Sequence, residues 1–194
     1  KRVIIVHRCG GSPTADWYPW LKRELEHRGI SVVVPAMPTP DAPEITSWVT
    51  TLQNVIGTPD KNTYLVGHSM GCQTILRYLE QLRTGSIGGT VLVAGFFTLI
   101  PSSLTTPKEK KIARPWLETP INNEKVKERV EKIVAIFSDN DPFVPLEENR
   151  HSFEKGYGAK TITKNAKGHY DEDSKTYNLP IALKEVLKMA GVEE

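Results

Sequence analysis

Cysteine is scarce in this chain: Cys9 and Cys72 are the only two in 194 residues. That is too few for a disulfide framework, so stability must come from a buried apolar core. No Asn-x-Ser/Thr sequon occurs, and nothing else marks a glycosylated surface. Both features favour a reducing cytoplasm. Long hydrophobic runs are missing too. The stretch from Thr90 to Ile100 falls well short of the roughly 20 apolar residues a membrane-spanning helix needs. The opening run Val3-Ile4-Ile5-Val6 is too short for the apolar core of a secretory signal, so none is expected. Charge of one sign is lacking: 25 Lys and Arg against 23 Asp and Glu leave +2. Such a balance gives no field to recruit nucleic acid or an anionic membrane. Internal repeats and low-complexity tracts are absent. The remaining composition, 39% hydrophobic and 25% charged, is that of an ordinary globular protein. Residues 1–194 are expected to form one domain.

Short apolar runs alternate with helical patterns along the chain. Val3–His7, Ile30–Val34, Thr63–Gly67, Thr90–Ala94 and Ile133–Phe137 read as buried strands, with Lys160–Thr163 as a short sixth. Helical spacing runs over Trp17–Arg28, over Ile45–Ile56 and over Met70–Leu82. Asn122 is placed to cap a short helix, Leu146–Lys155 reads as another, and Pro180 opens a last amphipathic one. Residues 95–120 show no clear period and read as a loop or small lid. This alternation predicts an α/β fold, a doubly wound, mostly parallel six-stranded sheet with helices on both faces. Ligands of such sheets bind beyond the carboxyl ends of the strands.

The pentapeptide Gly67-His68-Ser69-Met70-Gly71 lies between a strand and a helix. This is the sequence form of a nucleophile elbow: a sharp turn lifts a serine out of the sheet, and its flanking glycines avoid collision with nearby backbone. The following residue, Met70, presents its N–H at a helix start, where an oxyanion would form. Two later strand-end loops supply partners. One reads Ser138-Asp139-Asn140-Asp141-Pro142-Phe143-Val144-Pro145, the other Gly168-His169-Tyr170. Serine, then acid, then histidine is the chain order of an α/β-hydrolase triad. A serine hydroxyl needs a base during attack, histidine titrates where it can serve, and a carboxylate holds the imidazole tautomer. The first loop, His7-Arg8-Cys9-Gly10-Gly11, offers the Cys9 N–H as a second oxyanion donor.

These stretches, with Asp16-Trp17-Tyr18-Pro19-Trp20-Leu21, Arg114-Pro115-Trp116 and Lys167-Gly168-His169, resemble the small serine hydrolases related to retinoblastoma-binding protein and YdeN. That family lies within the α/β-hydrolase superfamily. The resemblance implies Ser69 as nucleophile, Asp141 as acid and His169 as base. Asp139 competes for the acid role, and the Asp141-Pro142-x-Val144-Pro145 match favours Asp141. One departure stands out. Many relatives read His-Gly-x after the first strand, where this chain has His7-Arg8-Cys9. Arg8 is then open to two readings, an anion-binding side chain or one that points to solvent.

Trp17 and Phe96 are candidates for an acyl pocket, since aromatics on strand-end loops suit one. His27 and His151 are expected at the surface, His7 inside. His68 is expected to line the site or to pack. A metal site is not expected: His169, Asp171, Glu172 and Asp173 lack a second histidine at ligand spacing, so a solvated acidic loop is the reading. No cofactor is expected. The function read from these residues is hydrolysis of a small carboxylic ester through an acyl-enzyme. The alternatives are a small amide or aminoacyl substrate, or a non-enzymatic interaction scaffold on the same fold.

Overall fold

The computed structural model describes residues 1–193. Six parallel strands form one sheet in the order β2-β1-β3-β4-β5-β6. They are β1 (Arg2–Val6), β2 (Ser31–Val33), β3 (Thr63–His68), β4 (Gly89–Val93), β5 (Ile133–Ser138) and β6 (Lys160–Lys164). The chain first steps from β1 to β2, then crosses to β3 on the other side of β1. Strand order therefore reverses between β1 and β3, and a crevice opens there above the carboxyl ends.

The helices are α1 (Tyr18–Glu26), α2 (Ile45–Ile56), α3 (Met70–Gln81), α4 (Pro107–Glu118), α5 (Asn123–Lys127), α6 (Leu146–Tyr157) and α7 (Pro180–Ala190). Side chains alternate across the sheet, which splits the core in two. Val3 and Ile5 of β1 join Leu21 and Leu25 of α1 and Val186 of α7 on one face. Ile4 and Val6 join Trp48 and Leu52 of α2 and Leu76 of α3 on the other. Because both faces are covered, the central strands are buried along their whole length.

Two boundaries differ from the sequence reading in an informative way. β2 spans three residues instead of five, because it lies at the sheet edge, where Val33 is 46% exposed. The segment 95–120, expected as a loop or small lid, holds a short 3-10 turn (Pro101–Ser103) and then α4. A capping box starts α4. Glu109 N donates to Thr106 Oγ1 at 3.1 Å, and Thr106 N donates to Glu109 Oε2 at 2.8 Å. Only Ala113 and Trp116 of α4 are buried, so its apolar stripe is too thin to read as a period. Arg77 closes its far end, donating from Nη2 to Trp116 O (3.2 Å) and Thr119 O (2.8 Å).

Candidate active site

Ser69 joins β3 to α3 with φ 53° and ψ −115°. A side-chain-bearing residue adopts such a backbone only when its surroundings impose it. Here they do. A Cβ at Gly71 would lie 2.2 Å from Val6 O, and one at Gly67 would lie 2.8 Å from Cys72 N. Glycine at both places lets α3 begin hard against β1 and β3. Ser69 N donates to Val93 O at 2.8 Å, which pins the turn to β4.

His169 arrives from the loop after β6, with its ring 2.9 Å (Nε2) from Ser69 Oγ and 2.8 Å (Nδ1) from Asp141 Oδ2. A carboxylate only accepts, so Nδ1 carries the proton and Nε2 is left to accept from the serine hydroxyl. The Asp141 side chain is 2% exposed. Its Oδ1 is held by Phe143 N (2.9 Å) and Val144 N (3.1 Å), both on the loop after β5. The structure thus brings Ser69, Asp141 and His169 together. Asp139 goes elsewhere: its Oδ1 accepts from Ala166 N at 2.8 Å.

That bond belongs to a series. Lys167 N donates to Ser138 Oγ (3.0 Å) and Gly168 N to Asn140 Oδ1 (2.8 Å). Residues 138–141 therefore hold residues 166–169 with four side chains in a row. His169 N donates further to Ser174 Oγ at 3.1 Å. Asp171, expected in a solvated acidic loop, is instead buried, because Ser174 donates to it from both N (2.9 Å) and Oγ (2.6 Å). Burial works against its charge, and those two bonds together with nearby His169 and Arg8 outweigh it, leaving its carboxyl below the ordinary range. Among the described residues, no group of three or more His, Cys, Asp or Glu is placed to hold a metal ion.

Three amides of the first loop are committed to other acceptors. Arg8 N donates to Tyr18 OH (3.2 Å), Gly10 N to Pro40 O (2.8 Å) and Gly11 N to Arg8 O (3.1 Å). Cys9 N–H takes part in none of these bonds. Met70, the first residue of α3, lies where an N–H has no intrahelical acceptor.

Above these groups opens a cleft of about 540 Å³ that reaches Ser69, Met70, Cys9 and His169. Its apolar walls are Phe96 and Leu99 after β4, Leu104 before α4, Ile112 and Ala113 of α4, and Phe143 after β5. Phe143 stands edge-on to the His169 ring at 4.9 Å. Sequence reasoning missed it as a wall residue, although it lies inside the Asp-Pro-x-Val-Pro stretch. A second hollow, of about 450 Å³, lies at the start of β5 and β6, remote from these side chains.

Phe96 lines the cleft, but Trp17 does not. Trp17 is fully buried in the α1 face of the core, 4.7 Å from the Tyr18 ring and 5.5 Å from His68. It precedes α1 directly and packs into the core cluster below the strand ends instead of facing the cleft. Arg8 lines the cleft and is mostly turned away from solvent, with its guanidinium held by an internal carboxylate. Its Nε and Nη2 bind Asp16 at 2.8 Å and 3.2 Å. His7 and His68 are buried, while His27 and His151 are exposed. Cys9 and Cys72 are free thiols. Burial pushes both thiols up, and Asp41 adds to the effect at Cys9, so neither is a ready thiolate.

The model of the family described as "Serine hydrolase" matches residues 3–188. The chain belongs to that serine hydrolase family. YdeN of Bacillus subtilis (strain 168) is 32% identical over 182 residues, covering 93% of this chain and 92% of that protein. The crystal structure of the B. subtilis ydeN gene product superposes with a TM-score of 0.89 at 30% identity, covering 98% of this chain and 99% of that one. Serine hydrolase RBBP9 of Rattus norvegicus is 27% identical over 175 residues, covering 88% of this chain and 87% of that protein. Est1E from Butyrivibrio proteoclasticus shares the fold, with a TM-score of 0.72 at 15% identity over 98% of this chain and 88% of that one. The protein is thus an enzyme of the α/β-hydrolase class. Among the described residues, no helix is long and apolar enough to cross a membrane.

Proposed function

We propose that this serine hydrolase cleaves small carboxylic esters through an acyl-enzyme formed on Ser69. The observation that carries the reading is the 2.9 Å approach of His169 Nε2 to Ser69 Oγ at the floor of an open cleft. Ser69 Oγ attacks the ester carbonyl carbon while His169 Nε2 takes its proton. General-base help of this kind is worth roughly 10² to 10⁴ in rate. The buried Asp141 carboxylate keeps the tautomer and stabilises the imidazolium. Negative charge then gathers on the former carbonyl oxygen, facing Met70 N–H at the positive end of α3 and Cys9 N–H across from it. Collapse of the tetrahedral intermediate breaks the ester C–O bond, and His169 returns the proton to the leaving alkoxide. Water, deprotonated by the same imidazole, attacks the acyl-enzyme and frees the acid.

The cleft volume and its apolar walls suit a small acyl group, with Phe96 and Phe143 on either side. A small amide or aminoacyl compound is the in-class alternative. The exposed carboxylates Asp41 and Asp173 on the cleft lining favour a cationic amine there. A reducing, cytoplasmic setting accords with the two free thiols.

The test pairs a fluorophosphonate probe with p-nitrophenyl esters of graded acyl length. Labelling is expected on Ser69, and Ser69→Ala should abolish both labelling and turnover. Normal turnover by Ser69→Ala excludes the mechanism. An unreactive Ser69 with no turnover at any acyl length favours a binding scaffold.

A further inference from the structure

Next to the elbow lies a connected group of polar side chains, buried at Asp16, Tyr18 and His68 and reaching the cleft wall at Arg8, that the acyl-transfer steps do not use. Asp16 is its centre. Its side chain is fully buried, and its backbone sits at φ 52°, a conformation the surroundings must impose. Asp16 Oδ2 accepts from Arg8 Nε at 2.8 Å, and Oδ1 accepts from Arg8 Nη2 at 3.2 Å. The same Oδ1 accepts from Glu172 N at 2.8 Å, and Asp16 N donates back to Glu172 Oε1 at 3.3 Å. Arg8 adjoins Cys9, and Glu172 follows His169 by three positions. One carboxylate thus grips both the first loop and the histidine loop.

A second path joins the same two loops. Tyr18 OH accepts from Arg8 N at 3.2 Å and donates to His68 Nδ1 at 2.6 Å. His68 Nε2 lies 2.7 Å from His169 O. A carbonyl only accepts, so Nε2 carries the proton and Nδ1 is the acceptor. Every donor in this chain has one acceptor, provided His68 stays neutral. Burial, helped by neighbouring His169, holds its imidazole well below the ordinary value of 6.5, consistent with that geometry.

We propose that Asp16, Tyr18 and His68 are positioning residues that fix the Cys9 amide and the His169 imidazole relative to each other across Ser69. The inference rests on the triad reading above. Its physical basis is distance. β1 and β6 are four strand spacings apart in the sheet order, roughly 19 Å at the level of the strands. Sheet pairing cannot set the separation of two loops that leave such distant strands and meet above the sheet. The two bridges through Asp16 and through Tyr18–His68 do. A buried ion pair such as Arg8–Asp16 adds little net stability over an apolar pair of the same volume, which fits a role in placement. The need for placement is steep, since a shift of about 1 Å in a reacting group costs on the order of 10²-fold in rate.

The decisive variant is Tyr18→Phe, which keeps the ring and deletes one oxygen. Wild-type turnover that depends on Ser69 is measured first, and its absence defeats the triad reading itself. Given that turnover, Tyr18→Phe should lower kcat roughly 10- to 100-fold with KM changed by less than about threefold. Affinity for phenylboronic acid, a mimic of the tetrahedral intermediate, should fall with kcat. His68→Gln, which retains a donor, should keep more kcat than His68→Leu. Cooperative melting of each variant at a temperature well above the assay checks folding. Wild-type kcat and boronate affinity in folded Tyr18→Phe and His68→Leu overturn the proposal. Should Tyr18→Phe fail to fold, equal kcat in the two His68 variants overturns it as well.

Discussion

The two sides of the cleft are built differently. On the histidine side, residues 138–141 clamp residues 166–169 through four consecutive side-chain bonds of 2.8 to 3.0 Å. On the other side, α4 is largely exposed and buries only Ala113 and Trp116. Its ties lie at its carboxyl end, where Arg77 binds two carbonyls and Trp116 Nε1 donates to Pro43 O at 3.1 Å. The lesson is a division of labour. Groups assigned to proton transfer are fixed by short bonds to backbone, because sub-ångström errors are costly there. The wall assigned to the acyl group is apolar and, at α4, lightly anchored.

The contrast is broken hardest on the clamped side. Asp141→Asn keeps the shape but frees the imidazole tautomer, and kcat should fall by roughly 10⁴, read by ester turnover. Asn140→Ala removes the acceptor for Gly168 N and should lower kcat about 10-fold or more while KM holds. The α4 side should answer in specificity instead. Leu104→Ala with Ile112→Ala enlarges the wall and should shift kcat/KM toward longer acyl groups by about 10-fold, with short esters little affected. Comparable loss on short esters would erase the distinction between the two sides.

Stability against pH sharpens the comparison further. His7 follows β1 and His68 lies within the elbow, and burial lowers both below 6.5; residues 97–118 contain no histidine. As pH falls below 6.5, the unfolded imidazoles bind protons that the folded ones refuse. Folding stability should therefore drop with pH, by at most about 1.4 kcal/mol per unit per histidine. Urea unfolding of His68→Gln should show a shallower slope. The smallest effect is expected at the α4 cap, where Thr106→Ala should cost about 1 kcal/mol, seen in thermal unfolding.

The same contrast explains what the sequence discloses. Ser69 and Asp141 each follow a short apolar strand, His169 follows a short polar one at the sheet edge, and all three sit in stretches with their own punctuation (glycines at 67 and 71, prolines at 142 and 145, glycine at 168). The sheet was legible for the same reason, since buried parallel strands are continuous apolar runs. α4 was hidden because two buried residues make no period and Pro115 interrupts the pattern. Trp17 misled because spacing does not say which way a residue just before a helix faces. The Asp16 bridge spans 156 positions to Glu172, and Tyr18 reaches His68 across 50. No local pattern reports contacts of that range.

The most direct test is rapid quench of the enzyme with p-nitrophenyl acetate, followed by mass analysis of its peptides. One acetyl group on the peptide that contains Ser69, formed and lost at rates matching turnover, is the expected result. Steady turnover with Ser69 never acetylated, or undiminished turnover in Ser69→Ala, would contradict it.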